Sequence, residues 1–334
     1  MSKNQRVFMS SALISVKVLQ DKDIIQDRAF LVKDKIKGMG KNGRPFLSLL
    51  IGDKSGHIDA RIWDRVEELA DAFDIGEIIL VKGQVQVYLG RKQIIIHKIE
   101  KPDQSLYAKS DFMIEGKNID VHAYFSELVQ IVNQLKSNSI KQILLDSLLD
   151  DEIKNLLLKS PAAKTIHHAW QGGLIEHILS ICRLMKMMAG HYTFLNYDLL
   201  IFGAIFHDLG KIWELEINND FIQYTNKGRL LGHMQLACEL IDRKAARILG
   251  FPEELKDILK HIILSHHGRL EYGSPKRPKF MEAFVVAMID ELDSKINTVQ
   301  NFIDAERATG ESWSRFNEGF ERYFLLENLK DRWP

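Results

Sequence analysis

The spacing of apolar residues changes period close to residue 105, and that change divides the chain into two parts that cannot share one architecture. Upstream, AFLVKDKIKGM (29–39), FLSLLIGDKSG (46–56), HIDARIWD (57–64), IILVKGQVQVYLG and RKQIIIHKI are short, β-branched runs separated by Gly-rich turns. They read as five strands, with a short helical piece, RVEELADAF, after the third. Downstream, VHAYFSELVQIVNQL, SIKQILLDSLL and nearly everything to the C-terminus carry apolar residues at three-and-four spacing and read as helices. In one exception, KIWELEINNDFIQYTNKGRLLGH, the runs WELEI and FIQYT flank Asn218-Asn219-Asp220 and read as a small hairpin set between helices.

Five strands with a helix after the third resemble an OB-fold of the anticodon-binding type, whose open face binds single strands. The expected architecture is therefore a multidomain α and β protein. Residues 1–105 would form an OB-type β-barrel for nucleic-acid binding and residues 106–160 a linker and helical connection. Residues 161–334 would form an all-α bundle with the hairpin insertion and C-terminal helices. Strand alternation places His57, Asp59, Arg61 and Trp63 opposite Ile58, Ala60 and Ile62, and buries Val85 and Val87 while setting Gln84, Gln86 and Tyr88 outward. Single-strand binding by stacking beside a basic groove makes Arg44, Phe46, Arg61, Trp63, Tyr88, Arg91 and Lys92 the candidate contacts on the barrel. The competing reading packs Phe46 and Trp63 in the barrel core or between domains and leaves Arg91 and Lys92 as a solvated turn.

Formal charge is +0, which argues against a protein that coats nucleic acid by bulk charge. Cys182 and Cys238 stand in apolar contexts without Cys-x-x-Cys spacing, so neither a disulfide framework nor a thiolate metal site is expected. No run approaches the ~20 apolar residues that a membrane span requires, and the N-terminus lacks the pattern of a signal peptide. A cytoplasmic protein without membrane association is expected, with homo-oligomerisation left open.

The helical part holds a second constraint. His177 sits at the edge of the apolar stripe of GGLIEHILSICRLM, and His207-Asp208 end the run LLIFGAIF. His233 follows Gly232, His266-His267 close FPEELKDILKHIILSHHG, and Asp290 lies in FVVAMIDELDSK. A single histidine on an apolar face is most often a hydrogen-bonded core residue. Ionisable groups on successive helices, each beside buried apolar residues, instead match the way bundles build metal sites. Such residues are costly to bury unless something pairs with them.

This order resembles the HD-domain superfamily of metal-dependent phosphohydrolases in its two-metal form. The resemblance implies that His177, His207, Asp208 and Asp290 hold one cation and that Asp208 bridges to a second held by His233 and His266, in preference to His267. A third metal is not expected, because Gly173 stands where some two-metal and three-metal relatives that use both histidines carry a Glu. At a finer level, a barrel joined to HHAWQGGLIEH (167–177), FHDLGK (206–211), YTNKGRLLGH (224–233), ILSHHGRLEYGSPKRP (263–278) and MIDELDSK (288–295) resembles the YhaM-type 3′–5′ exoribonucleases of bacteria. That resemblance implies stepwise release of nucleoside 5′-monophosphates from single-stranded RNA, with single-stranded DNA as a further substrate, and a preference for manganese.

The residue types agree with that chemistry on their own. Imidazole and carboxylate donors favour Mn²⁺, Fe²⁺ or another transition metal over Mg²⁺, and two such cations activate water without a serine or cysteine nucleophile. Asp208 and Lys211 are the expected catalytic pair, Lys211 reaching a nonbridging phosphate oxygen. His168, Arg269 and Lys276 are further candidate phosphate contacts. Two alternatives stand beside this reading. An HD-type nucleotide or cyclic-dinucleotide phosphohydrolase leaves the barrel without a task, and a nonenzymatic single-strand binding protein leaves six ionisable positions unexplained.

Overall fold

The computed structural model describes residues 16–40, 43–88, 91–103, 106–107, 112, 119–163, 170–218, 221–307, 310–317 and 319–332. They form two compact units. In the first, β1 (Ile24–Met39), β2 (Pro45–Asp53), β3 (Gly56–Ile62), β4 (Ile78–Tyr88) and β5 (Arg91–Glu100) close a barrel in the order β1-β2-β3-β5-β4. The sixteen-residue β1 makes closure possible by pairing with β4 through its first half and β2 through its second. Register irregularities between Ile25 and Arg28 and between Val32 and Asp34 bend it. Helix α1 (Val66–Ala70) follows β3, as the OB pattern requires. The Lys35 ammonium donates to the carbonyls of Ala70, at 2.8 Å, and Phe73, satisfying acceptors at and beyond the end of that helix. Inward residues of all five strands, among them Phe30, Leu49, Ile58, Val81 and Ile94, fill the core. The expected burial of Val87 is not met: it is exposed, because it pairs with Lys92 near the tip of the β4–β5 arm, where the barrel core has ended.

The second unit is helical. It comprises α2 (Val121–Asn133), α3 (Asn138–Leu148), α4 (Asp151–Leu157), α5 (Gly173–His191), α6 (Tyr197–Phe206) and α7 (Lys211–Glu214), then the strand pair β6 (Leu215–Asn218) and β7 (Phe221–Tyr224). After it come α8 (Asn226–Ala245), α9 (Glu253–Ser265), α10 (Met281–Arg307) and α11 (Leu329–Arg332). The segment 121–157, expected as a connection, packs Phe125, Leu128, Ile143 and Leu157 into the same core as Ile178, Phe202, Leu240 and Ile263. Helix α6 is almost wholly buried, so its apolar residues show no single stripe.

The helical pattern expected through to the C-terminus is interrupted between α10 and α11. Beyond α10 the chain turns at Gly310, which has φ 76, and folds back through bridges between Trp313 and Leu325 and between Asn317 and Arg322. The run WSRFNEGF places Asn and Gly where a helix would need to continue, and aromatic contacts such as Phe316 with Tyr323 replace helical packing.

Candidate metal centre and nucleic-acid face

Seven of the residues singled out in the sequence converge inside the helical unit. His177 projects from the buried face of α5, while His207 caps the C-terminus of α6 and places Asp208 in the turn that follows. That turn is tight because of Gly210: a Cβ there would lie 2.0 Å from the His233 carbonyl oxygen, so any other residue would push α8 away from Asp208. Helix α8 is itself broken at Gly232, whose φ of 74 interrupts the ladder just before His233. His266 caps α9, His267 follows it, and Asp290 comes from α10.

Two groups of donors result. His177, His207 and Asp290 form one, and His233, His266 and His267 the other, each compact enough for a single ion. Asp208 stands between them. Its Oδ2 lies 3.7 Å from His177 Nε2 and 3.5 Å from His207 Nε2, while its Oδ1 lies 3.6 Å from His233 Nε2 and 3.8 Å from His266 Nε2. His267 was set aside in favour of His266 on sequence, yet the fold brings both rings to the second group.

Each of the five histidines is held from behind by its Nδ1, which leaves Nε2 to face the centre. The Nδ1 partners are Asp293 Oδ2 for His177 (2.9 Å), the Ala204 carbonyl for His207 (3.0 Å) and Glu214 Oε1 for His233 (3.1 Å). The Ile263 carbonyl holds His266 at 2.7 Å and the Tyr272 carbonyl holds His267 at 2.9 Å. Such outer partners fix the tautomer and ring orientation that metal ligands need. Glu214 and Asp293 are buried carboxylates that the sequence reading missed. The available signal for Asp293 was its position one turn beyond Asp290, and Glu214 was concealed in a segment that read as strand.

The donor set passes a direct test of fit. Among the described residues, His233 Nε2 and His266 Nε2 are buried with no hydrogen-bond partner, an arrangement that costs free energy unless a ligand takes their lone pairs. Electrostatics point the same way. Burial alone would raise the Asp208 carboxyl, yet the charges of Lys211, His207 and His233 outweigh it and hold it well below the usual range. Burial likewise opposes ionisation of Asp290, but hydrogen bonds from His177 and His207 keep it far below its ordinary value. Burial, with the adjoining His207 and His267, pushes His266 well down and so favours the neutral, ligating ring. Lys211 Nζ lies 2.6 Å from Asp208 Oδ2; burial would lower its pKa, but the Asp208 charge raises it.

On the barrel, Phe46, Arg61 and Trp63 come together. The Phe46 and Trp63 rings lie 5.1 Å apart, and the Arg61 guanidinium stands 5.7 Å from the Phe46 centroid while donating to Ser48 Oγ. Trp63 is 46% exposed, so the core-packing reading fails for it. Arg44 is exposed at the start of β2. Tyr88 is exposed at the end of β4, on a different strand pair from the Phe46 cluster. The Lys92 ammonium donates to the Leu19 carbonyl at 2.9 Å and so carries a structural load. The Arg91 side chain and His168 lie outside the described residues. Arg269 stacks its guanidinium 5.6 Å from the Tyr272 ring, and Lys276 is exposed; neither belongs to the two donor groups.

Comparison with known proteins agrees with both units. Residues 174–295 match the model of the HD domain and residues 30–102 that of an OB-fold nucleic acid binding domain. Among curated proteins, the chain is 34% identical over 302 residues to the 3′-5′ exoribonuclease YhaM of Bacillus subtilis, covering 90% of this chain and 92% of that one. It is 35% identical over 301 residues to the protein of that name from Listeria welshimeri, covering 89% and 91%. It is 34% identical over 305 residues to that of Listeria monocytogenes EGD-e, covering 90% and 93%. With this identity sustained across both units, the chain belongs to the YhaM family of 3′–5′ exoribonucleases.

Proposed function

We propose that the protein is a 3′–5′ exoribonuclease that removes nucleoside 5′-monophosphates from single-stranded RNA, accepts single-stranded DNA as a further substrate, and uses two divalent cations. The observation that carries this reading is the division of the Asp208 carboxylate, with Oδ2 toward His177 and His207 and Oδ1 toward His233 and His266. Asp290 would complete the first set and His267 would join the second. Cations held by these residues would supply the activation of a water and the neutralisation of the leaving oxygen. Five imidazoles with two carboxylates favour Mn²⁺, or Fe²⁺, over the oxygen-seeking Mg²⁺.

The remaining residues position and balance charge. Glu214 and Asp293 keep their imidazoles aimed at the centre. Lys211, beside Asp208 and largely shielded from solvent, would pair with a nonbridging phosphate oxygen. Phe46 and Trp63 offer stacking faces to the bases of the incoming strand, with Arg61 beside them. In this division of labour residues 1–105 retain the strand and residues 161–334 cut it, in the cytoplasm.

The test offers the protein, with Mn²⁺, a 5′-labelled oligoribonucleotide, its DNA counterpart, a cyclic dinucleotide and a nucleoside triphosphate. A ladder shortening from the 3′ end, abolished in Asp208→Asn while RNA binding persists, is expected. Turnover of the cyclic dinucleotide or triphosphate with an intact oligonucleotide would replace this reading with that of a small-molecule phosphohydrolase.

A further inference from the structure

Helix α10 has two faces. At 100° per residue, Asp290 and Asp293 fall on one side with the buried Ala283 and Val286, facing the metal centre. On the opposite side Met281, Phe284, Met288, Leu292 and Ile296 form an apolar stripe, each between 43% and 58% exposed, and Phe194 flanks its N-terminal half at 69%. Together these six form an exposed apolar patch on the order of several hundred Å², a substantial part of the ~800 Å² per partner of a stable protein interface. A patch of this size is uncommon on a monomer.

The stripe is also shaped to meet itself. Its N-terminal half is hollow, a cleft of about 220 Å³ opening between Phe194, Met281, Phe284 and Met288. Its C-terminal half adds Leu292 and Ile296, exposed and outside that cleft. The charged residue within it, Lys295, is paired with Glu291 of its own helix at 2.5 Å, so no unpaired charge obstructs apolar contact. Two such helices laid antiparallel about a two-fold axis near Ile289 seat the aliphatic half of each in the cleft of the other. An isologous contact demands this kind of self-complementarity.

We propose that α10 is the two-fold self-association surface of this protein, its occupant being a second copy of the same chain. Pairing braces the helix that carries Asp290 and Asp293 from behind, and it does not depend on which substrate the centre cuts.

Two measurements test it on the full chain. The first is sedimentation, in which the wild type runs as a dimer or an even multiple and Phe284→Glu with Leu292→Glu halves the mass while keeping the helical circular dichroism. The second guards against misfolding of that variant. Met288→Cys, close to the axis, should cross-link in pairs under mild oxidation, against a quiet background because Cys182 and Cys238 are buried. Leu249→Cys, at a fully exposed position, serves as the control. A wild type that stays monomeric, or a Met288→Cys protein that cross-links no better than the control, overturns the proposal.

Discussion

Glu214 grips His233 at two points with one oxygen: Oε1 accepts from the backbone N–H at 3.0 Å and from ring Nδ1 at 3.1 Å. The break at Gly232 makes this possible, since it releases the His233 N–H from the helical ladder. A residue well outside the conspicuous histidine pattern thus sets the direction of one of its members.

Removing that grip should weaken metal binding without unfolding the domain. Loss of an outer-shell partner typically costs about 10–100-fold in metal affinity, and Glu214→Ala is expected in that range for one of the two proposed ions. Glu214→Gln, whose amide oxygen can still accept, should retain more. Metal content after equilibration in a buffered Mn²⁺ series provides the measurement; full occupancy of both sites in Glu214→Ala at the wild-type midpoint would contradict it.

His267 should matter as a ligand although the sequence favoured its neighbour. Its Nδ1 is tied to the Tyr272 carbonyl and its ring centroid lies 4.2 Å from that of His266, so both rings address one position. His267→Ala and His266→Ala are each expected to lower occupancy of the second site by more than the Glu214 variants do. Should His267→Ala bind metal like the wild type, the second set reduces to His233, His266 and Asp208.

The difference between what could and could not be read from the sequence follows from distance along the chain. The strands announced themselves by alternation, as in Ile58, Ala60 and Ile62, and the ligands by their place at helix ends or stripe edges. Local period says nothing about which remote group stands behind a ring. Asp293 reaches a histidine 116 positions away, and Lys92 donates to the carbonyl of Leu19, 73 positions distant. The C-terminal turn after α10 escaped for the opposite reason: apolar residues such as Phe320 and Phe324 fit a helical spacing but are spent on contacts with each other.

Asp150 links helix capping to acid sensitivity. It caps α4 through the N–H groups of Glu152 and Ile153 and holds the buried Lys244 ammonium at 2.8 Å. That hydrogen bond from Lys244 is the largest influence lowering its pKa, ahead of burial, which opposes it. A carboxylate depressed in the folded state stabilises fully above its unfolded pKa, ~3.9, and loses that contribution as pH falls through the folded value. Asp150→Asn keeps the cap and removes the charge. It should cost about 1–2 kcal/mol at neutral pH, after allowance for partial exposure. The gap to wild type should narrow as the pH falls below ~4. Denaturant midpoints at the two pH values measure it, and a gap independent of pH would mean the Lys244 contact contributes nothing through charge.

On the barrel, the geometry separates residues that should bind RNA from one that should not. The Phe46 and Trp63 rings stand together on the outer surface with Arg61 at their edge, so replacing both rings by Ala removes a stacking platform. Each base that loses its partner should cost about 1–3 kcal/mol of affinity. Hydrolysis of substrates too short to reach the barrel should be unaffected. Lys92→Ala is the contrast: its ammonium serves the Leu19 carbonyl, so the loss should appear as about 0.5–1.5 kcal/mol of stability, with long-RNA affinity retained. Raising salt should weaken wild-type binding to long RNA through release of counterions, and the double ring variant should keep that salt slope because it removes no cation. The decisive comparison is a length series of oligoribonucleotides at two salt concentrations for wild type, Phe46→Ala with Trp63→Ala, and Lys92→Ala. If the ring variant binds long RNA as the wild type does, the strand does not stack on this face and must be held elsewhere.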